Sequence, residues 1–187
     1  MCSSDLTYCK KNLAEEFDMK DLGRMHYFLG LEVWQENREI FLGQGRYTTE
    51  ILKRFQMEDC RPMTTPMITN WKKIDTSEDD EVDPTLYRQL IWSLMYLVNT
   101  RPNICYAINT LNQFMVELKR AHWATAKHVL RYLQGTVKLG LKYTRDNDVR
   151  LSGFTDADWA RSSVDRKSTS RYCFSLGLGM TSWCSRK

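Results

Sequence analysis

The chain has 187 residues, which is enough for one hydrophobic core or for one modest domain joined to part of another. Hydrophobic residues make up 42% and aromatic residues 12% of the sequence, as is typical of a globular protein. With 27 Lys and Arg against 23 Asp and Glu, the net charge of +4 points only weakly to a nucleic-acid partner.

The cysteines and the longest apolar run exclude two further classes. The six cysteines include no Cys-x-x-Cys pair and no signal peptide is visible, so we expect free thiols in a reducing compartment. The most apolar segment, residues 91–98, is far shorter than the roughly 20 residues that cross a bilayer. We therefore expect neither a zinc site nor a membrane span.

The first third of the chain predicts a helix and a β-hairpin. Residues 1–7 show no periodicity, and we interpret them as an adapter-derived, non-native start outside the fold. Apolar residues four apart predict a helix over 8–19. Residues 25–34 and 39–42 predict two strands joined by a polar loop. Gly30 inside the first strand indicates a bulge or a close approach by another backbone.

A second helix and a linker follow the hairpin. Apolar spacing from residue 47 predicts a helix with Ile51 and Leu52 on its buried face, which must end before Pro62. Residues 61–84 contain three prolines and an acidic run without a basic residue between positions 74 and 83. Because this run lacks the glycine of a calcium-binding loop, we expect a solvated linker.

Three helices are predicted next. Leucines at helical spacing define the first over 86–97, and its other faces are also apolar, so we expect burial on most sides. Residues 99–102 break this helix. The second helix runs over 104–115, and the third spans 121–133 and stops at Gly135.

Strand character replaces helical character after Gly135. Four short segments are rich in β-branched and aromatic residues. They are residues 137–143, 149–156, 171–176 and 180–183. We therefore predict a domain boundary between residues 135 and 148.

Residues 118–145 contain seven basic residues and no acidic one. On a helix, Arg120, Lys127 and Arg131 fall within about 40° of one another, beside an apolar face. A helix that packs on a core and presents cations to a phosphate backbone needs this arrangement. A solvated helix face fits the same pattern equally well.

Asp156 ends the predicted strand over 149–156 and lies within the segment FTDADW (residues 154–159). The end of a strand suits a metal-binding carboxylate or a turn cap. Two-metal phosphoryl chemistry needs several carboxylates around cations roughly 4 Å apart. The sequence has no Asp or Glu beyond Asp165. A nuclease-type site that begins at Asp156 is therefore not expected to be completed within this chain.

Several long motifs occur in the order of one known family. Residues 153–159 (GFTDADW), 165–172 (DRKSTSRY) and 181–187 (TSWCSRK) resemble the opening three strands of the ribonuclease H domain of copia-type (Ty1/copia) long-terminal-repeat retrotransposons. Upstream segments resemble the end of that family's reverse transcriptase palm with its primer-contacting hairpin, and then its thumb and connection. These segments are residues 16–23, 25–33 and 40–47, followed by 93–97, 100–104 and 122–136.

The resemblance implies an α+β fold, in which a β-hairpin and a helical thumb and connection precede a truncated, ribonuclease H-like antiparallel sheet. The implied domains are the end of the palm with the hairpin and first thumb helix, the acidic linker, the helical thumb and connection, and the start of the ribonuclease H domain. They cover residues 8–60, 61–84, 85–136 and 137–187.

The resemblance also implies a function. The parent polyprotein carries out RNA-directed DNA synthesis with cleavage of the RNA:DNA hybrid, in a cytoplasmic virus-like particle or in the nucleus. The family's Tyr-x-Asp-Asp turn is absent. Asp156 matches the first carboxylate that holds Mg²⁺ in the ribonuclease H site, and the later carboxylates are missing. We therefore expect a catalytically incomplete fragment that holds the metal weakly.

The implied partners are a primer–template or RNA:DNA duplex and the remainder of the Pol polyprotein. Two groups of residues are implied to bind the nucleic acid without reading its sequence. The hairpin group, which steadies the primer end, is Tyr27, Phe28, Leu29, Gly30 and Arg46. The helical group, which follows the duplex backbone, is Arg120, Lys127 and Arg131.

Three residues depart from the family pattern. Trp92 and Arg171 stand where the family usually has glycine, and Leu118 stands where proline is common. Such changes fit a degenerate copy, because a large residue in place of a required glycine can cost several kcal/mol. Two alternatives stay open: a non-catalytic nucleic-acid-binding module, and an inert translation product of a degenerate element.

Overall fold

The computed structural model describes residues 3–69, 71, 82–145, 149–158 and 168–186. These ranges contain five α-helices and a short 3₁₀ turn at Pro102–Ile104. The helices are α1 (Ser3–Glu16), α2 (Gly45–Arg54), α3 (Pro84–Leu97), α4 (Cys105–Asn112) and α5 (Arg120–Gln134). The strands are β1 (Tyr27–Phe28), β2 (Leu31–Gln35), β3 (Glu39–Gly43), β4 (Gly140–Thr144), β5 (Leu151–Asp158), β6 (Thr169–Leu176) and β7 (Gly179–Arg186).

The strands form two antiparallel sheets. The first sheet has the order β1-β2-β3-β4 and the second has the order β5-β6-β7. The mixture of helices and antiparallel sheets confirms the predicted α+β class. The two-residue β6–β7 turn begins at Gly177, whose φ of +59° suits the first central position of a type II′ hairpin turn.

The segment predicted as one strand over 25–34 is a tight hairpin of two strands, so that prediction is wrong. The chain reverses at Leu29 and Gly30, which both have positive φ, at 48° and 76°. Two consecutive positive φ values are the signature of a type I′ turn, whose twist matches that of the flanking strands. Gly30 is closely approached, as expected, but by the side chain of Tyr96 rather than by a backbone.

The first of the four strand segments after α5 returns to the first sheet. In β4, Gly140 opposes Gly43 and Thr144 opposes Glu39 across β3. Only the three later strands form the second sheet. Local composition identified the strand but carried no information about its partner, which lies about 100 residues earlier in the chain.

Helices α2 to α5 enclose the hydrophobic core. Ile51 and Leu52 of α2 are buried, as their spacing predicts, against the apolar faces of α3, α4 and α5. The Tyr87 hydroxyl lies inside this core and donates a hydrogen bond to the Leu111 carbonyl at 2.8 Å. Burial of the apolar stripes is the main stabilising contribution to such a bundle.

Helix α3 is less buried than its sequence suggests. Its inner face is in the core, but Trp92 is 68% exposed, and Leu86 and Met95 are also exposed. The expected burial on most sides is therefore wrong, because α3 packs on other elements along one side. Asp83 caps the helix by accepting a hydrogen bond from the Thr85 backbone N–H at 2.7 Å.

Other boundaries shift by a few residues. Helix α1 begins at Ser3 rather than at residue 8, and α4 ends at Asn112, before Met115. The predicted acidic linker lies partly outside the described residues, which omit position 70 and positions 72–81.

The five described cysteines are free thiols, as the sequence predicts. Among the described helices, none is both long and apolar enough to cross a bilayer.

Candidate nucleic-acid interface

The hairpin tip, defined as residues 27–30, is fixed in place by α3. The Tyr96 hydroxyl donates a hydrogen bond to the Leu29 carbonyl, and a Cβ added at Gly30 would lie 3.0 Å from that hydroxyl oxygen. The side chains of Tyr27, Phe28 and Leu29 point to solvent around this contact. A turn held by a distant helix presents its side chains and backbone with little freedom, as a binding surface requires.

A buried carboxylate places Arg46 beside the hairpin tip. Glu32 in β2 accepts a hydrogen bond from the Arg46 backbone N–H at 3.1 Å and lies 3.2 Å from its Nε. The Glu32 side chain is only 10% exposed, whereas that of Arg46 is 75% exposed. The guanidinium also lies 5.8 Å from the centre of the Tyr27 ring. The structure thus brings Tyr27 and Arg46 together, and the Arg46 guanidinium is exposed to solvent above the buried Glu32.

Sequence reasoning missed Glu32 and Tyr96, the two residues that hold this cluster together. Glu32 is the one carboxylate in β2. A lone carboxylate in a strand indicates that it has a cationic partner, but the sequence does not indicate which residue that partner is. Tyr96 sits among apolar residues of α3 and gives no signal of its own.

The three basic residues of the helical group all lie on α5, but only Lys127 is freely presented. Lys127 is exposed, with its Nζ 5.2 Å from the centre of the Trp123 ring. Arg131 donates from Nε to the Arg61 carbonyl at 2.9 Å and so helps hold the segment after α2. Arg120 is partly buried. The stripe therefore combines one exposed cation with two that are also engaged in the fold.

The histidines of α5 add no charge to this stripe near neutral pH. Burial, assisted by the nearby Lys119, lowers the pKa of His122 to about 4. Burial also lowers the pKa of His128, whose Nε2 lies 2.9 Å from the Thr65 carbonyl oxygen. Both side chains pack inside the protein and stay neutral because charging them there would require desolvating a cation.

Asp156 lies on β5 with its side chain 63% exposed. Its neighbour across the sheet is Arg171, whose Nη1 lies 3.5 Å from the Asp156 Oδ2. The Arg171 guanidinium also stacks over the Tyr106 ring, 4.5 Å from its centre. A cleft of about 330 Å³ between α4 and the second sheet has Asp156 and Arg171 in its lining.

This arrangement does not fit a pair of Mg²⁺ ions. Hard divalent cations need several oxygen ligands, and the described part of the chain has no group of three or more His, Cys, Asp or Glu side chains placed to share an ion. Arg171 Nη1 also lies 3.5 Å from Asp156 Oδ2, so a metal ion bound to Asp156 would lie close to a positive charge. The described residues therefore do not assemble a metal centre around Asp156.

The comparisons with known proteins agree with the motifs. The model of the family described as reverse transcriptase (RNA-dependent DNA polymerase) matches residues 2–69. The chain is 40% identical over 94% of its length to the retrovirus-related Pol polyprotein from transposon RE2 of Arabidopsis thaliana. It is 34% identical over 95% of its length to that from transposon TNT 1-94 of Nicotiana tabacum.

Coverage of the relatives differs. The chain spans 12% of the RE2 polyprotein and 14% of the TNT 1-94 polyprotein. It spans 72% of an uncharacterized mitochondrial protein of Arabidopsis thaliana, to which it is 37% identical. No solved structure matches the chain. On these relationships, the chain belongs to the copia-type retrotransposon Pol family and is a reverse-transcriptase-like segment of such a polyprotein.

Proposed function

We propose that this chain is the part of a copia-type Pol polyprotein that holds the primer–template duplex. In this proposal, residues 8–60 are the end of the palm with the primer-contacting hairpin, and 85–136 are the thumb and connection. The second sheet begins the ribonuclease H domain. The activity it serves is RNA-directed DNA synthesis with cleavage of the RNA:DNA hybrid.

The observation that carries the proposal is the fixed hairpin tip with Arg46 beside it. Contacts to the sugar-phosphate backbone come from arginine side chains and from backbone groups, and they set position rather than sequence. The tip offers both kinds of group, since the turn at Leu29 and Gly30 projects its backbone and Arg46 supplies an exposed guanidinium. Tyr96 holds the turn so that its position is set before a duplex arrives.

Helix α5 supports the proposal with its basic stripe. Lys127 is exposed, and Arg131 has further N–H groups beyond the one that binds the Arg61 carbonyl. Cations that contact phosphates release counterions, so affinity should fall steeply as the salt concentration rises. Because the contacts are to the backbone, an RNA:DNA hybrid of any sequence should bind.

We assign binding rather than catalysis to these residues. The 187-residue sequence contains no Tyr-x-Asp-Asp turn, and Asp156 is paired with Arg171. The reverse transcriptase family generally uses Mg²⁺, which needs converging carboxylates that the described residues do not assemble.

The test is the binding of a labelled RNA:DNA hybrid, followed by fluorescence anisotropy at increasing salt. We expect Lys127→Glu combined with Arg131→Glu to weaken binding and to lower the slope of log K against log salt by about 2, one unit for each lost phosphate contact. Lys10→Glu combined with Lys11→Glu, an equal double charge reversal on the exposed helix α1, is the matched control and should change the slope much less.

Two results would contradict the proposal. One is an affinity that is indifferent to salt and to the α5 variant while the protein stays folded. The other is Mg²⁺-dependent degradation of the hybrid that Asp156→Ala abolishes, which would show that the chain is catalytic.

A further inference from the structure

Three aromatic side chains share one face of the first sheet, away from the core. In the sheet register, Glu32 opposes Tyr27, Trp34 opposes Phe41, and Phe41 opposes Lys142. Residues directly opposite each other in antiparallel strands, and residues two apart along a strand, point to the same side. We call this surface, formed by Tyr27, Trp34, Phe41 and Lys142, the aromatic face.

The aromatic face is largely open to solvent although three of its four residues are aromatic. The other side of the same strands carries Val33 and Leu141, which are buried. Trp34 nevertheless stays 50% exposed, and its ring centre lies 5.3 Å from that of Phe41. An antiparallel sheet with one face on the core normally exposes polar residues on the other. Clustered exposed aromatic rings are therefore a sign of a binding surface.

Two glycines leave room for the rings to lie close to the sheet. A Cβ at Gly43 would lie 2.9 Å from Phe41 Cε1 and 3.3 Å from Trp34 Cζ3. A Cβ at Gly140 would lie 2.7 Å from Phe41 Cζ. The rings thus rest over bare backbone at positions where any side chain would collide with them. This packing restricts the motion of the rings and holds them close to the backbone of the sheet. The resulting surface has room for a planar group to stack on the rings.

Cations border the rings and face outward. Arg46 lies above the buried Glu32, next to Tyr27, and Lys142 is paired with Glu39 at 2.8 Å beside Phe41. Beyond that pair, the exposed residues Arg38 and Arg145 are adjacent, since the Arg145 backbone N–H donates to the Arg38 carbonyl at 2.7 Å. The border of the aromatic face is therefore suited to phosphate groups.

We propose that the aromatic face binds single-stranded nucleic acid, with unpaired bases stacked on Trp34 and Phe41 and phosphates beside Lys142 and Arg46. Exposed aromatic rings next to cations on an open sheet are the chemistry by which proteins hold unpaired strands. Paired bases are already stacked within a duplex and cannot use these rings.

The charge arrangement sets this surface apart from α5. Because Glu32 and Glu39 pair with two of the cations, stacking should supply more of the affinity here than phosphate neutralisation does. The site is additional to the proposed duplex contact, and Trp34, Phe41 and Lys142 belong to it alone.

The experiment measures binding of the full chain to a fluorescent oligothymidylate of about 12 nucleotides, which forms no duplex. We expect Trp34→Ala to weaken binding about tenfold, the loss of one stacked base. Trp34→Phe, which keeps a ring, should bind within about threefold of the unchanged protein. Trp92→Ala removes an even more exposed tryptophan from α3 and should leave binding unchanged.

A hybrid duplex measured in parallel separates this inference from the proposed function. Trp34→Ala should leave hybrid binding in place, whereas the α5 double variant should weaken it. The inference is overturned if Trp34→Ala binds the oligothymidylate like the unchanged protein, or if it weakens both ligands equally. It is also overturned if Trp34→Ala abolishes self-association in sedimentation while oligothymidylate binding persists, since the face would then join two copies of the chain.

Discussion

Among the described residues, Arg101 has the largest fully buried side chain. It is 2% exposed and lies at the start of the 3₁₀ turn after α3. Its Nη1 and Nη2 donate to the carbonyl and hydroxyl oxygens of Thr136 at 2.9 and 2.7 Å, and its Nε donates to Asn103 at 3.3 Å. Burial lowers the pKa of this guanidinium, and Tyr132 opposes the shift. One residue thus ties the end of α3 to the end of α5.

We predict that Arg101→Ala lowers the free energy of unfolding by about 3 kcal/mol, because it removes a buried side chain and leaves the partly buried oxygens of Thr136 without their charged donor. Arg101→Lys should restore little of this loss, since an ammonium group cannot reproduce the planar fork. Urea denaturation measures both changes, with the exposed Arg150→Ala as control. A cost for Arg101→Ala no larger than that of Arg150→Ala would show that these hydrogen bonds contribute nothing.

At the scale of an element, the first turn of helix α5 contains a histidine, His122, that must be neutral. His122 Nδ1 accepts a hydrogen bond from the Lys119 backbone N–H at 3.0 Å, and its ring stacks on Phe114 with 3.9 Å between centres. A protonated Nδ1 could not accept this bond, and a cation at a helix amino terminus is also unfavourable. The cap therefore holds only for the uncharged ring.

The pH dependence follows from the pKa of His122, which falls from its ordinary 6.5 to about 4 in the folded protein. Between these values the unfolded chain binds more protons than the folded one, so stability rises with pH in this window. We predict a loss of up to about 3 kcal/mol on going from pH 7 to pH 4, seen by urea denaturation.

His122→Gln should flatten this dependence, because glutamine at this position can still complete the cap and does not titrate. The depressed pKa of His128 remains in both proteins and leaves a smaller slope. An unchanged pH profile in His122→Gln would assign the acid sensitivity to other groups.

Helices were predictable from the sequence where their signal is local. The apolar spacing around Ile51 gives the start of α2 within two residues, and the glycine stop at Gly135 helps give both ends of α5 within one, because side chains three and four apart share a face in any context. The hairpin turn at Leu29 was not predictable, since a leucine at positive φ is unfavourable by itself. It forms where Tyr96, distant in sequence, binds its carbonyl.

The candidate sites likewise include residues that the sequence identified and contacts that it could not predict. The residues at the hairpin tip were identified through the family resemblance, and the basic residues of α5 were identified from their charge pattern and helical spacing. The buried Glu32 beneath Arg46, and the pairing of Asp156 with Arg171, depend on strands meeting at a particular register. The aromatic face needed the register of β3 with β4, which no local pattern encodes.

At the scale of the whole molecule, the second sheet is attached to the rest by a few specific contacts. Trp183 Nε1 donates to the Val98 carbonyl at the end of α3 at 3.0 Å. The Tyr143 hydroxyl of β4 donates to the Met180 carbonyl at 2.6 Å, and its ring packs against Gly179. Elsewhere the sheet exposes large apolar side chains, among them Leu151, Phe154 and Leu178. Its stability should therefore depend on this junction.

We predict that Trp183→Ala loosens the second sheet without unfolding the helical core. The lost packing and hydrogen bond are worth about 2 kcal/mol, so amide hydrogen exchange in residues 169–186 should become roughly 30-fold faster. Exchange in α3 and α5 should change little, because their core contacts remain. The control is Trp92→Ala, which removes an exposed tryptophan. Mass spectrometry measures the exchange in the same peptides of both variants. Equal acceleration in 169–186 and in the helices would mean that the two parts unfold as one cooperative unit.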